Sequence, residues 1–127
     1  MIVRTPAIVL STIKYGEADL IARIYTRELG TQSYMLKGIR KSRKGKLRVS
    51  FFQPLTQLEI HTQHKGKGIL EYIKEASLTY TYINIPVDVA KSSVALFFGE
   101  VLSQLLTEQQ PDEQLFDYLS TIFEYLD

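Results

Sequence analysis

This sequence predicts an α+β fold in which five strands close into a barrel and two helices follow. Three observations carry that prediction. Through residue 82 the apolar residues repeat with a period of two between glycine-bearing turns. From Pro86 onward the apolar period changes to three and four. The chain has 127 residues, 45% of them hydrophobic and 23% charged, which is enough for one sizeable core or two small ones. An open five-stranded sheet of this length would need both a cover and protected edges, and closure supplies the second directly.

The elements follow in order. The segment TPAIVLSTIKYG (5–16) is rich in β-branched residues and runs into a turn at Tyr15-Gly16-Glu17-Ala18-Asp19. The second strand, LIARIYTREL, sets Leu20, Ala22 and Ile24 on one face against Ile21, Arg23, Tyr25 and Arg27 on the other. Leu29-Gly30-Thr31 makes a tight connection, and a third strand, TQSYMLK, stops at Lys37-Gly38. After a long basic stretch, Leu58, Ile60 and Thr62 alternate with Gln57, Glu59 and His61 in a fourth strand. Lys65-Gly66-Lys67-Gly68 reads as a hairpin turn and 69–82 as the fifth strand. Five antiparallel strands with their one long link between the third and fourth fit the OB-fold barrel.

The helical part begins at Pro86, a favourable first position. Val87, Ala90, Val94, Phe97, Val101 and Leu105 form its main stripe, with Phe98 and Leu102 alongside, and this stripe is expected to face the core. Ala95, Leu96 and Leu106 lie outside it, so the helix calls for cover on two sides. Gln109-Gln110-Pro111 breaks the pattern. A second helix carries Leu115, Phe116, Leu119, Ile122, Phe123 and Leu126, with Asp112 and Glu113 where a helix dipole favours negative charge. The pattern runs unbroken to Leu126-Asp127, as expected of a piece of a longer chain. The division expected is 1–82 for the barrel and 83–127 for part of a helical domain.

Composition excludes several functions. With no cysteine, disulfides, CxxC redox chemistry and Cys-based zinc sites are ruled out. No apolar run approaches the roughly 18 residues of a membrane span, and the start is too short an apolar run for a signal peptide; a soluble cytoplasmic protein is expected. His61 and His64 lie three apart on a strand, which points them to opposite faces without a third ligand nearby. GKG at 66–68 lacks the frame of a phosphate-binding loop. Nothing in the spacing selects a catalytic triad, and neither a metal nor a cofactor is expected.

Charge is the positive signal. The formal net charge of +1 averages two unlike parts. Residues 1–80 hold 14 Lys and Arg against 6 Asp and Glu, a net of +8, and residues 81–127 hold Lys91 against 8 acids, a net of −7. Within Lys37–Arg48, seven of twelve residues are basic and none is acidic: Lys37, Arg40, Lys41, Arg43, Lys44, Lys46 and Arg48. Such clusters bind phosphate backbones by releasing condensed counterions, whereas a loop serving solubility alone mixes its signs. Arg23, Tyr25 and Arg27 share one face of the second strand, where OB-folds place a single-strand platform, with core packing the competing reading for Tyr25 and the preferred one for Tyr34. Lys65 and Lys67 flank the 4–5 turn. Glu17 and Asp19 in the 1–2 turn would repel phosphate.

In order and spacing these segments resemble one family. The run AIVLSTIKYGEADLIARIYTRELG, then KGIRKSRKGK, then FFQPLTQLEI, is similar to the N-terminal part of the bacterial recombination mediator family RecO, and PDEQLFDYLSTIFEYLD is more weakly similar to its helical domain. The resemblance implies an N-terminal OB-fold and a helical domain that often holds a zinc-binding cysteine cluster, which this chain lacks. It implies binding to single- and double-stranded DNA, strand annealing, and loading of RecA with RecR onto strands coated by single-strand-binding protein, without catalysis. DNA contact then falls on the seven basic residues of 37–48, with Arg23 and Arg27 secondary and Lys65 and Lys67 weaker. Self-association through exposed helices is a further expectation. An OB-fold protein-interaction module and an RNA-binding OB domain are the alternatives.

Overall fold

The computed structural model describes residues 2–41, 47–66, 70–107 and 110–127. Five strands, β1 (Ile2–Tyr15), β2 (Asp19–Thr26), β3 (Gly30–Leu36), β4 (Gln57–Gln63) and β5 (Glu71–Leu78), precede two helices, α1 (Val89–Leu105) and α2 (Glu113–Leu126). The strands close into a barrel in the order β1-β2-β3-β5-β4. All neighbours are antiparallel except β3 and β5, which run parallel over the pairs Tyr34–Glu71 and Met35–Tyr72. The expected antiparallel OB-fold barrel is found but for this one pair: closing five strands in this order brings two strands of the same direction together.

β1 explains how two cores share one small protein. Ala7, Ile8, Val9 and Leu10 are all buried, and an unbroken apolar run is what a strand covered on both faces requires. Ala7 and Val9 point into the barrel with Ala22, Ile24, Tyr34, Leu36, Leu58 and Ile60. Ile8 and Leu10 point outward, into a second cluster with Tyr25, Leu55, Ile85, Ala95, Phe116 and Phe123. The helices therefore pack on the outside of β1 and β2.

Several boundaries differ from the expected ones. β1 begins at Ile2, because Ile2–Ile8 pair with β4. β5 ends at Leu78, and the chain beyond it turns so that the Tyr82 hydroxyl donates to the Leu55 carbonyl at 2.6 Å. α1 begins after Asp88, whose carboxylate accepts the Lys91 N–H at 3.1 Å, while Asn84 O holds the turn containing Pro86 by accepting from Val87 and Asp88.

The expected core stripe of α1 is also corrected. Phe97 is 64% and Leu105 70% exposed, whereas Ala95 and Gly99 are the buried residues of the helix. α2 keeps most of its expected face, with Phe116 and Phe123 buried and Leu115, Leu119 and Leu126 beside them, while Ile122 is exposed. No helix among the described residues is long and apolar enough to cross a membrane.

Candidate nucleic-acid interface

The basic segment leaves β3 under tight local control. Gly38, at φ 68°, reverses the chain in a region L-residues avoid. Its N–H donates to Asp19 Oδ1 at 2.7 Å, and the Arg40 N–H donates to Ala18 O at 2.9 Å. Ile39 is buried in the barrel core, as is Phe52, with Leu47 and Phe51 packed alongside. The segment is thus pinned on both sides of residues 42–46. The Arg40 guanidinium donates to Asp19 O at 3.0 Å and Gly16 O at 2.6 Å, capping the β1–β2 turn. Lys41 Nζ stands 3.5 Å from Glu17. The two acids of that turn, expected to repel phosphate, are thus engaged by the basic segment itself. Lys37, Lys41, Arg48 and Lys65 are exposed; Arg43, Lys44, Lys46 and Lys67 lie outside the described residues.

The other end of β2 departs from expectation. Tyr25 is 3% exposed, stacks at a tilt against Phe116 with ring centroids 5.7 Å apart, and donates to Asp112 O at 3.3 Å. Burial, with the Asp112 charge adding to it, raises its pKa. It is a core residue, which removes it from the stacking candidates. Arg27 forms a fork on Asp117, Nε to Oδ1 at 2.9 Å and Nη2 to Oδ2 at 3.1 Å, and its Nη1 lies 2.8 Å from Glu113. The hydrogen-bonded Asp117 carboxylate holds the guanidinium charged, and the same bond lowers the Asp117 pKa. α2 occupies this arginine, because alternation fixed which face of β2 it sits on and not what covers that face. Arg23 is half-buried, its Nε–H without a hydrogen-bond partner.

A third region carries side chains that charge clustering and β2 alternation do not single out. Tyr72, on the outside of β5, is 46% exposed, with Lys37 Nζ 5.9 Å from its ring centroid. Lys74 is exposed at the irregularity where β5 slips register against β4. Strict alternation from the buried Glu71 and Ile73 is the signal that places Tyr72 outside. Nearby, His61 lies 3.6 Å from both Glu59 and Glu75, and His64 lies 3.6 Å from Glu71. The histidines take separate partners, and no group of three metal-ligating side chains occurs among the described residues.

Comparison with known proteins agrees with this architecture. Residues 1–82 match the family described as Recombination protein O N terminal, and residues 86–127 match Recombination protein O C terminal. The chain is 46% identical over 127 residues to a protein of Christiangramia forsetii named DNA repair protein RecO, covering all of this chain and 53% of that protein. Proteins of the same name from Flavobacterium psychrophilum and Phocaeicola vulgatus are 39% and 36% identical over the whole chain, which covers 53% and 52% of them. The chain spans about half the length of these relatives.

Proposed function

The chain belongs to the recombination protein O family, and from that premise we propose that its OB barrel binds DNA strands through their phosphates as part of a recombinational repair mediator. The observation that carries this reading is the placement of charge. Lys37, Lys41 and Arg48 are exposed around a hydrophobically pinned segment at the β1–β2 end of the barrel, while the acids of α2 that meet the barrel do so at the β2–β3 end. Arg43, Lys44, Lys46, Lys65 and Lys67 extend the basic set, with Arg23 flanking it. Arg40 acts by shaping the turn, since backbone carbonyls hold its guanidinium.

Clustered cations hold two strands' phosphates close together and leave base edges free to pair. That is the physical requirement for annealing, and it needs neither bond chemistry nor nucleotide hydrolysis. In the complete protein the same surface would serve RecA loading with RecR on DNA coated by single-strand-binding protein, in the cytoplasm at the nucleoid. In this reading residues 1–82 are the binding unit and 83–127 open the helical domain. The exposed apolar face of α1, with Leu96, Phe97 and Leu105, is where a protein partner or a second copy would dock.

Salt titration tests the proposal. Replacing Lys41, Arg43, Lys44 and Lys46 with Ala should reduce the slope of log affinity against log salt by about 0.7 for each single-strand phosphate that is no longer neutralised. Unchanged affinity and slope would overturn the assignment to this segment. Equal binding to RNA of the same sequence would favour an RNA-binding barrel, and capture of a short acidic peptide in place of oligonucleotides would favour an interaction module.

A further inference from the structure

We propose that Tyr72, at the seam where β5 meets β3, is a stacking platform for one unpaired base, so that the barrel engages a single strand in preference to a duplex. The inference rests on the nucleic-acid reading above and adds to it the chemical class of group that the seam takes.

The seam is built for a flat, partly apolar ligand beside negative charge. Met35 is the registered neighbour of Tyr72, Ile21 is paired with Met35, and Ile13 with Ile21. This outward row crosses four strands; Met35 within it is buried, and the two ends, Ile13 and Tyr72, are well exposed. The helices cover a different stretch of the barrel, around Ile8, Leu10 and Tyr25. One ammonium group, that of Lys37, stands over the ring, and a second cation, Lys74, is exposed two residues further along β5 at its irregularity. The nearby acid Glu75 faces His61 on β4.

Lys37 Nζ, 5.9 Å from the centroid, sits at the outer limit of cation–π attraction. A weak contact of this kind yields readily. A base can lie on the ring while Lys37 turns to the adjoining phosphate, so one nucleotide satisfies both side chains. Stacking of this kind is open only to a base outside a duplex, which is the origin of the strand preference.

The chain contains no tryptophan, so Tyr72→Trp supplies a single reporter at the seam. Oligo(dT) should quench its fluorescence, and a duplex of the same length should not. By anisotropy, Tyr72→Ala should weaken oligo(dT) binding about tenfold, the loss of one stacked base. Binding to an abasic oligonucleotide of equal length should stay unchanged, and Tyr72→Phe should retain near wild-type affinity. Unaltered oligo(dT) affinity in Tyr72→Ala, wild-type binding of abasic and dT strands equally well, or equal quenching by duplex would each overturn the stacking role. Failure of the wild type to bind any oligonucleotide would instead overturn the nucleic-acid reading itself. A urea midpoint for Tyr72→Ala equal to that of Tyr72→Phe separates lost stacking from lost folding.

Discussion

Glu71 shows how much one buried carboxylate organises. It is 2% exposed and accepts the Lys65 N–H at 3.2 and 3.3 Å and the Gly66 N–H at 3.1 Å. Burying an ionised carboxyl is costly, and bonds from backbone donors offset that cost. The same bonds fix the turn that carries Lys65, with Gly66 at φ 67°. Glu71→Ala leaves two donors without their acceptor, so the expected loss is about 1–3 kcal/mol, read from urea midpoints. Glu71→Gln keeps one accepting oxygen and should lose less; equal midpoints for the two variants would contradict the role. The hairpin turn was legible in Lys65-Gly66, but an acid opening a strand reads as solvent-facing. Only the inward phase set by Ile73 reveals it, and that phase reveals Tyr72 on the other face as well.

At the scale of elements, existence was more legible than orientation. α1 is apolar on most of its circumference, so the sequence offers no unique phase. Large residues such as Phe97 dominate the stripe read from the sequence, yet the fold selects small ones. A Cβ on Gly99 would collide with the Leu10 carbonyl oxygen, so the helix reaches the strand backbone only through glycine, and Ser11 and Ser103 continue the contact at 3.0 Å. Leu10 itself sits where β1 shifts register, a detail no periodicity discloses. α2 was legible because most of its aliphatic and Phe residues keep to one side. What the sequence could not disclose is its latch, since Arg27 and Asp117 stand 90 residues apart.

The latch carries a signed pH dependence. The bond from Arg27 depresses the Asp117 pKa in the folded state. Such a group adds stability above its ordinary value, about 3.9, and loses it as pH falls through the lowered folded value. Wild type should therefore exceed Asp117→Asn in urea midpoint at pH 7 and 5, with the gap closing as the pH is taken well below the ordinary carboxylate value. A gap of constant size would show that Asp117 acts by packing and not by charge.

Over the whole molecule, near-neutrality is the sum of two charged ends. Barrel closure and the α+β order were legible because alternation and turn glycines are local signals. The spatial layout of charge was not, because it depends on which end of β2 each loop and helix reaches. Arg40 and Lys41 meet the turn before β2, and Glu113 and Asp117 meet Arg27 just after it. With eight residues in β2 at roughly 3.3 Å each, the two ends lie about 25 Å apart. Screening then decides whether the acids oppose DNA binding. The Debye length is about 10 Å at 0.1 M salt and about 30 Å at 0.01 M, so the separation exceeds it in the first condition and not in the second. Converting Glu113 to Gln and Asp117 to Asn should leave oligonucleotide affinity unchanged at 0.1 M and raise it at 0.01 M. Tighter binding at both concentrations would mean that the strand itself passes over the released Arg27, extending the DNA path along β2 to its far end.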